Sequence, residues 1–175
     1  MTAIYRFTQG VRALVAFTQS VDYTLPQRYL SDEMLAVFRQ MKRGEQLHSI
    51  RVLRAILNQQ ADTPHDLAVA ALMHDCGKVR YPLSVYGKSI SVVVRKVLPP
   101  LYHYGCERDP QRAVWARPFI VAAYHPLWSG EILRECGASD RATWLVTHHQ
   151  EPVSRWQDHP LCGLLWRLQK ADDTH

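Results

Sequence analysis

A histidine and an aspartate stand side by side at positions 74 and 75, near the end of a stretch that runs from Thr63 to Lys78. Imidazole nitrogen and carboxylate oxygen are donors that a divalent metal ion accepts while it keeps positions for water. A rigid, buried helix that ends at His74 and Asp75 would hold both donors in place. The pair therefore predicts one half of a catalytic metal site.

The residues around the pair indicate where this helix begins and ends. Thr63 is expected to be its N-cap and Pro64 its first residue, and a run of alanine, leucine and valine follows. Gly77 is expected to permit a sharp exit from the helix. Lys78 would then place a cation beside the metal site.

A second His-Asp pair, His65-Asp66, lies at the start of the same helix, where the helix dipole explains the aspartate and solvent exposure explains the histidine. What distinguishes His74 and Asp75 is the distribution of the other donors in the chain. These donors occur near the ends or faces of successive predicted helices, which is how helical bundles build metal sites. They are His48, His125, His148, His149 and Asp172.

The order of these donors resembles the HD superfamily of metal-dependent phosphohydrolases, whose pattern is a histidine, a His-Asp pair and a distal aspartate. The matching residues here are His48, His74-Asp75 and Asp172. Asp172 is favoured over its neighbour Asp173 because of its position at the end of an apolar helix. The resemblance extends from about residue 45 to residue 173, and it implies an HD-domain helical bundle that hydrolyses phosphoesters.

Within that superfamily the chain is most similar to the HD-GYP branch. As in that branch, Gly77-Lys78 follows the His-Asp pair, His125-Pro126 precedes Gly130, and a double histidine stands at positions 148 and 149. The Gly-Tyr-Pro signature itself is missing, since the residues after the double histidine read QEPVS.

The resemblance implies a binuclear site for two divalent ions. One ion would be held by His48, His74, Asp75 and Asp172, and the other by Asp75, His125, His148 and His149. Asp75 and Lys78 would serve catalysis, Asp75 as the bridging ligand and Lys78 as a point cation that stabilises phosphoryl charge. The mixture of nitrogen and oxygen donors favours Fe or Mn.

The expected substrate is a phosphodiester or a nucleotide. Lys78 could contact its phosphates. So could Arg80, Lys88, Arg95 and Lys96, although each of these four would also be explained as a solvated surface charge. Three alternatives stay open. They are a mononuclear nucleotide phosphohydrolase that needs only His48, His74, Asp75 and Asp172, a non-catalytic HD-type signalling module, and a module that binds a nucleotide without cleaving it.

Composition limits the class of protein. The chain has 175 residues, 47% of them hydrophobic, with a net charge of +5 and four single cysteines that predict free thiols. The charge suits a phosphorylated small molecule, or it serves only solubility, and the dispersed basic residues argue against nucleic acid. No apolar stretch approaches 18 residues and no signal peptide is recognised. We therefore expect a cytoplasmic protein without a membrane partner, which could form a homo-oligomer.

Apolar residues recur at helical spacing along almost the whole chain, which predicts an all-α bundle. Residues 1–44 are expected to supply N-terminal helices, at about 2–18 and 26–42, which pack on the core. Residues 45–175 would form the HD domain, and the whole chain a single globular unit.

Local signals predict the remaining elements. Residues 89–98 are predicted as a helix, although the consecutive valines would also suit a strand, and residues 101–109 as an irregular connector. New helices are expected to begin at His125-Pro126, at Ser139 after a stop at Gly137, and near Asp158.

Overall fold

The computed structural model describes residues 20–59 and 62–174, with the side chains of all of these except residues 85–89. Within these ranges the chain forms nine α-helices, three 3₁₀ helices and no strand, so the all-α prediction is confirmed. The α-helices are α1 (Thr24–Tyr29), α2 (Asp32–Gln40), α3 (Arg43–Gln59), α4 (His65–Met73), α5 (Val85–Val97), α6 (Pro99–Cys106), α7 (Arg117–Glu135), α8 (Asp140–His148) and α9 (Cys162–Thr174). The 3₁₀ helices are Cys76–Arg80, Val114–Ala116 and Val153–Trp156.

Helix α4 lies at the centre of the fold. Every residue from Leu67 to Met73 is buried, and the helix contacts α1, α2, α3, α8 and α9. A helix that is apolar on all sides is stable only inside the protein, and its alanines let neighbouring helices approach closely. Burial of α4 therefore carries His74 and Asp75, which follow its last residue, into the interior.

Residues before the predicted boundary at 45 belong to the same hydrophobic core. Leu30, Met34 and Phe38 are buried in one cluster with Leu53 of α3 and Leu72 of α4. The helix predicted for residues 2–18 lies outside the described residues. None of the helices in the described ranges combines the length and apolar content that crossing a bilayer requires.

The predicted helix at 26–42 is wrong in its continuity, because α1 and α2 are separate helices. Ser31 stands between them, and its hydroxyl oxygen accepts a hydrogen bond from the Met34 backbone amide at 3.3 Å. A serine in this position caps a new helix rather than extending the old one. Residues 101–109 also differ from the predicted connector, since α6 begins at Pro99-Pro100, where a first turn does not need amide donors.

Helix α7 is continuous through Pro126, where a new helix was predicted. Proline at that position costs one backbone hydrogen bond, but α7 packs on the 3₁₀ helix Cys76–Arg80 on one side and on α8 on the other. These contacts keep the parts of α7 before and after Pro126 in one continuous helix. Helix α9 begins at Cys162, later than the predicted start near Asp158, and α5 confirms a helix in place of a valine strand.

Two predictions at helix ends are confirmed and two differ. Gly137 stops α7 with a left-handed φ of 70°, and Ser139 caps α8 by accepting from the Ala142 amide at 3.1 Å. Thr63 does not cap α4, because its hydroxyl accepts a hydrogen bond from Arg167 at 3.3 Å and Pro64 holds the cap position.

Gly77 is required for a reason other than a helix exit. Among the described residues only Gly137 has a positive φ, so Gly77 adopts ordinary backbone angles. A Cβ atom on Gly77 would overlap the carbonyl oxygen of His125 and lie 2.8 Å from the amide nitrogen of Ser129. The missing side chain therefore lets α7 pack directly against the backbone that follows Asp75.

We expect Gly77→Ala to lower the free energy of unfolding by about 1–3 kcal/mol, because backbone atoms of α7 cannot move aside as a flexible side chain can. Chemical denaturation followed by circular dichroism measures the change. Gly163→Ala is the matched control, since a Cβ there meets no atom within 4 Å. Equal stability of the two variants would contradict this account of the packing.

Candidate metal centre

Four imidazoles form a row in the interior. Ring centroids are 5.4 Å apart for His48 and His74, 5.2 Å for His74 and His149, and 5.3 Å for His149 and His125. They come from α3, from the end of α4, from the residue after α8 and from the middle of α7. All but His48 are buried. Four helices therefore contribute donors to one place, as the sequence pattern predicted.

Asp172 of α9 lies beside the first two rings of this row. Its Oδ1 atom is 2.7 Å from Nε2 of His48 and 3.6 Å from Nε2 of His74. Asp172 is therefore the aspartate that contacts His48, as expected when it was favoured over Asp173.

Asp75 lies between the two halves of the row. One carboxylate oxygen is 3.7 Å from Nε2 of His74, and the other is 3.3 Å from Nε2 of His125. As a result the donor atoms form two compact groups that share Asp75, each with its atoms within 4.8 Å of one another. One group is His48, His74 and Asp75, and the other is Asp75, His125 and His149.

Backbone carbonyls fix the orientation of the three buried rings. Since a carbonyl can only accept, Nδ1 of each ring must donate, so Nε2 is the nitrogen that carries the lone pair when the ring is neutral. The bonds run from His74 to Ala71 at 3.0 Å, from His125 to Val121 at 2.8 Å and from His149 to Val146 at 2.7 Å. This is the usual way in which proteins orient metal-ligating histidines.

The Nε2 atoms show that the site fits a cation. Those of His74 and His149 are buried and have no hydrogen-bond partner. That of His125 lies 3.3 Å from an oxygen of Asp75 and 3.2 Å from the amide nitrogen of Gln150, which can donate to it. A buried imidazole nitrogen without a partner is costly, and a divalent ion would satisfy those of His74 and His149.

The electrostatics of the cluster agree with this fit. Burial by itself lowers the pKa of His74, but the carboxylates of Asp75 and Asp172 outweigh it and raise that pKa to about 9. Those carboxylates therefore hold a positive charge between them, which a divalent cation would supply in place of the proton. Burial lowers the pKa of His149 to about 3 and also lowers that of His125, so both rings are neutral ligands.

Lys78 contacts the carboxylate that the two groups share. Its Nζ atom is 2.6 Å from Oδ2 of Asp75. Burial opposes the ionised form of Asp75, but Lys78 and then His74 hold the pKa of the carboxyl well below its usual value. The predicted cation beside the His-Asp pair is therefore in place.

His148 lies apart from the two donor groups. Its Nδ1 atom is 2.9 Å from an oxygen of Glu151, and its ring centroid is 4.7 Å from that of Trp144 and 4.4 Å from that of Trp156. Neighbouring residues on a helix point about 100° apart, and here His149 faces the centre while His148 faces the two tryptophans.

Of the predicted substrate cations, Arg80 is paired away from the centre. Arg80 forms an ion pair with Glu131 at 2.7 Å and lies over the ring of Trp128. The side chain of Lys88 is outside the described residues. Among the predicted substrate cations whose side chains the structure describes, Lys78 reaches the centre.

A cleft of about 450 Å³ opens onto the second donor group, between α3, α5 and α7. Its polar lining is Glu45, Lys78, Ser91, Arg95, Lys96, His125 and Gln150, and its apolar lining is Leu83, Val92, Pro118, Val121 and Ala122. The volume is in the range of small-molecule sites.

Sequence reasoning did not identify Ser129 as part of the site. Its hydroxyl accepts from the amide of Gly77 and donates to the carbonyl of His74, both at 2.8 Å, and so ties α7 to the backbone around Asp75. Nothing in the sequence distinguishes Ser129 from other helical serines.

Gln150 was also not identified, although it directly follows the double histidine. Its amide nitrogen is 3.2 Å from Nε2 of His125. Some HD proteins have an acidic residue at a position adjacent to the one that Glu45 occupies here. Glu45 is buried and lines the cleft.

Comparisons of the chain with protein-family models, with curated proteins and with solved structures found no match. The donor geometry and the order of the residues along the chain are therefore the features that bear on function.

Ser129→Ala should lower the free energy of unfolding by about 1–3 kcal/mol, because the buried Gly77 amide and His74 carbonyl both lose their partner. We also expect the variant to retain less metal after dialysis, since this bond positions the His-Asp pair. Ser154→Ala, at an exposed position, is the control for both measurements. If Ser129→Ala matched the control, the bridge would have no structural role.

Gln150→Glu should bind Mn²⁺ about tenfold more tightly, because a carboxylate would replace an amide beside His125 in the second donor group. Titration calorimetry of the chelator-treated protein measures this affinity. Gln157→Glu adds the same charge at an exposed position and should leave the affinity unchanged. An equal gain in both variants would show that net charge alone is responsible.

Proposed function

We propose that the chain is a metal-dependent phosphohydrolase with a binuclear centre, the function that the order of its donors implies. One ion would be bound by His48, His74, Asp75 and Asp172, and the other by Asp75, His125 and His149. His148 is left out of this set because it is hydrogen-bonded to Glu151 in the neighbouring aromatic cluster, which contains Trp144 and Trp156. Fe or Mn is the favoured metal, since the donors mix imidazole nitrogen with carboxylate oxygen.

The observation that supports this proposal is the set of buried Nε2 acceptors around Asp75. A purely structural cluster would pair them with donors, as proteins do with nearly all buried polar groups. Here the Nε2 atoms of His74 and His149 have no partner, and that of His125 lies between a carboxylate oxygen of Asp75 and the amide of Gln150. Two donor groups that share one aspartate suit two ions better than one.

The chemistry divides between the ions and the protein. When bound, two divalent ions would lower the pKa of a water molecule and polarise the phosphate for in-line attack. Asp75 would hold the two donor groups together, and Lys78 would place a positive charge where the phosphoryl oxygens bind. The backbone bonds to Nδ1 would keep the three buried rings aligned throughout the reaction.

The substrate would be a phosphorylated small molecule, either a phosphodiester or a nucleotide. It would enter through the cleft beside Lys78 and His125, whose lining includes more cations than acidic groups. That cleft opens toward the second donor group, so the scissile phosphate would lie next to Asp75.

Metal analysis and hydrolysis together test the proposal. Freshly purified protein should contain about two Fe or Mn ions per chain and should hydrolyse bis(p-nitrophenyl) phosphate. Folded Asp75→Ala should lose both ions and more than about 100-fold in rate. The proposal fails if that variant keeps its metal and its activity.

Asp172→Asn and Asp173→Asn form a matched pair, since they make the same change at adjacent positions. Asp172→Asn should lose one metal ion, because Asp172 contacts His48 and lies close to His74. Asp173→Asn should keep both metal ions. One ion in the native protein would instead support the mononuclear alternative. No ion after reconstitution with Fe²⁺ or Mn²⁺ would support a module that binds nucleotides without cleaving them.

A further inference from the structure

Helices α5 and α6 have an unbalanced charge. Residues 85–106 include Lys88, Arg95 and Lys96 but no aspartate or glutamate. Arg95 and Lys96 are exposed, they line the cleft, and neither forms an ion pair with a described residue. Two adjacent cations without acidic neighbours on their own helices create a positive potential at the cleft.

Ring contacts connect Arg95 to the first turn of α7. The Arg95 guanidinium lies 5.9 Å from the ring centroid of Tyr102, and that ring contacts Phe119 at 5.7 Å. Phe119 belongs to the first turn of α7, whereas His125 lies almost two turns further along. At the rise of an α-helix this separation is about 10 Å.

The lining of the cleft between Arg95 and His125 is mostly apolar. Along α7 it consists of Pro118, Val121 and Ala122, and α5 contributes Val92. Among side chains that the structure describes, no phenylalanine, tyrosine or tryptophan lines the cleft. The described lining between Arg95 and His125 therefore offers apolar contact, and the charged groups offer the polar contacts.

We propose that Arg95 and Lys96 form a second anion-binding subsite in the cleft, which takes a phosphate other than the one bound beside Lys78 and His125. This inference rests on the proposed function, because it assigns the scissile phosphoester to the metal end. It narrows the substrate to a phosphoester that carries a second phosphate. A guanidinium beside an ammonium group is well suited to bind such a phosphate through charge-assisted hydrogen bonds.

Two synthetic ligands that differ in one phosphate test the subsite. Hexane-1,6-diyl bisphosphate carries two phosphates on an apolar chain, and hexyl phosphate carries only one. Calorimetry on Mn²⁺-loaded protein should show that the bisphosphate binds at least about tenfold more tightly. Equal affinities would overturn the proposal.

Arg95→Gln combined with Lys96→Gln should abolish this advantage and leave the affinity for hexyl phosphate unchanged. Arg108→Gln combined with Arg112→Gln removes the same charge from residues outside the cleft lining and should preserve the advantage. The proposal is wrong if both double variants lose the preference for the bisphosphate equally, or if the Arg95/Lys96 double variant keeps that preference. Should the first double variant not fold, Lys96→Gln alone, at an exposed position, should still reduce the ratio of the affinities.

The same proteins separate this inference from the proposed function. A protein that holds metal and hydrolyses phosphodiesters, but shows no preference for the bisphosphate, would retain its function without the subsite. A protein that holds no metal and hydrolyses nothing, but loses its preference when Arg95 and Lys96 are changed, would have the subsite without the function.

Discussion

The close contact between α7 and the backbone after Asp75 is the constraint on which the site depends. It requires glycine at position 77, where any side chain would collide with α7, and the hydroxyl of Ser129, which bonds to both Gly77 and His74. This contact brings His125 within 3.3 Å of Asp75. Without it the His-Asp pair would retain only the donors from α3, α8 and α9, and the second donor group would be incomplete.

A second constraint is the cost of burying this many polar groups. Helix α4 is stable only in the interior, so His74 and Asp75 must be desolvated with it. The protein offsets part of the cost with Lys78 and with a proton on His74, whose pKa the two carboxylates raise to about 9. The Lys78 ammonium group and the protonated His74 ring both place positive charge beside Asp75. A divalent cation would provide that charge and would also satisfy the unpartnered Nε2 atoms.

The aromatic cluster beside the centre explains how two adjacent histidines acquire different environments. His149 turns inward, with its Nδ1 bonded to the carbonyl of Val146, while His148 packs among Trp144 and Trp156. Glu151 joins this cluster through His148 and through the indole of Trp156, and so holds the segment that carries Gln150. The outer histidine would therefore support the loop whose inner residues face the centre.

The sequence by itself determined the all-α architecture, the helix stop at Gly137, the cap at Ser139 and the delivery of His74-Asp75 by a buried helix. These features follow from apolar periodicity and local backbone chemistry, which act over a few residues. The order of the donors also indicated that His48, His125, His149 and Asp172 would meet the pair. Only the tertiary structure decided that His148 lies apart, that Ser129 and Gln150 support the site, and that Arg95 and Lys96 line the cleft. Those outcomes depend on how helices far apart in the chain rotate and approach one another, and spacing within a single helix does not specify that geometry.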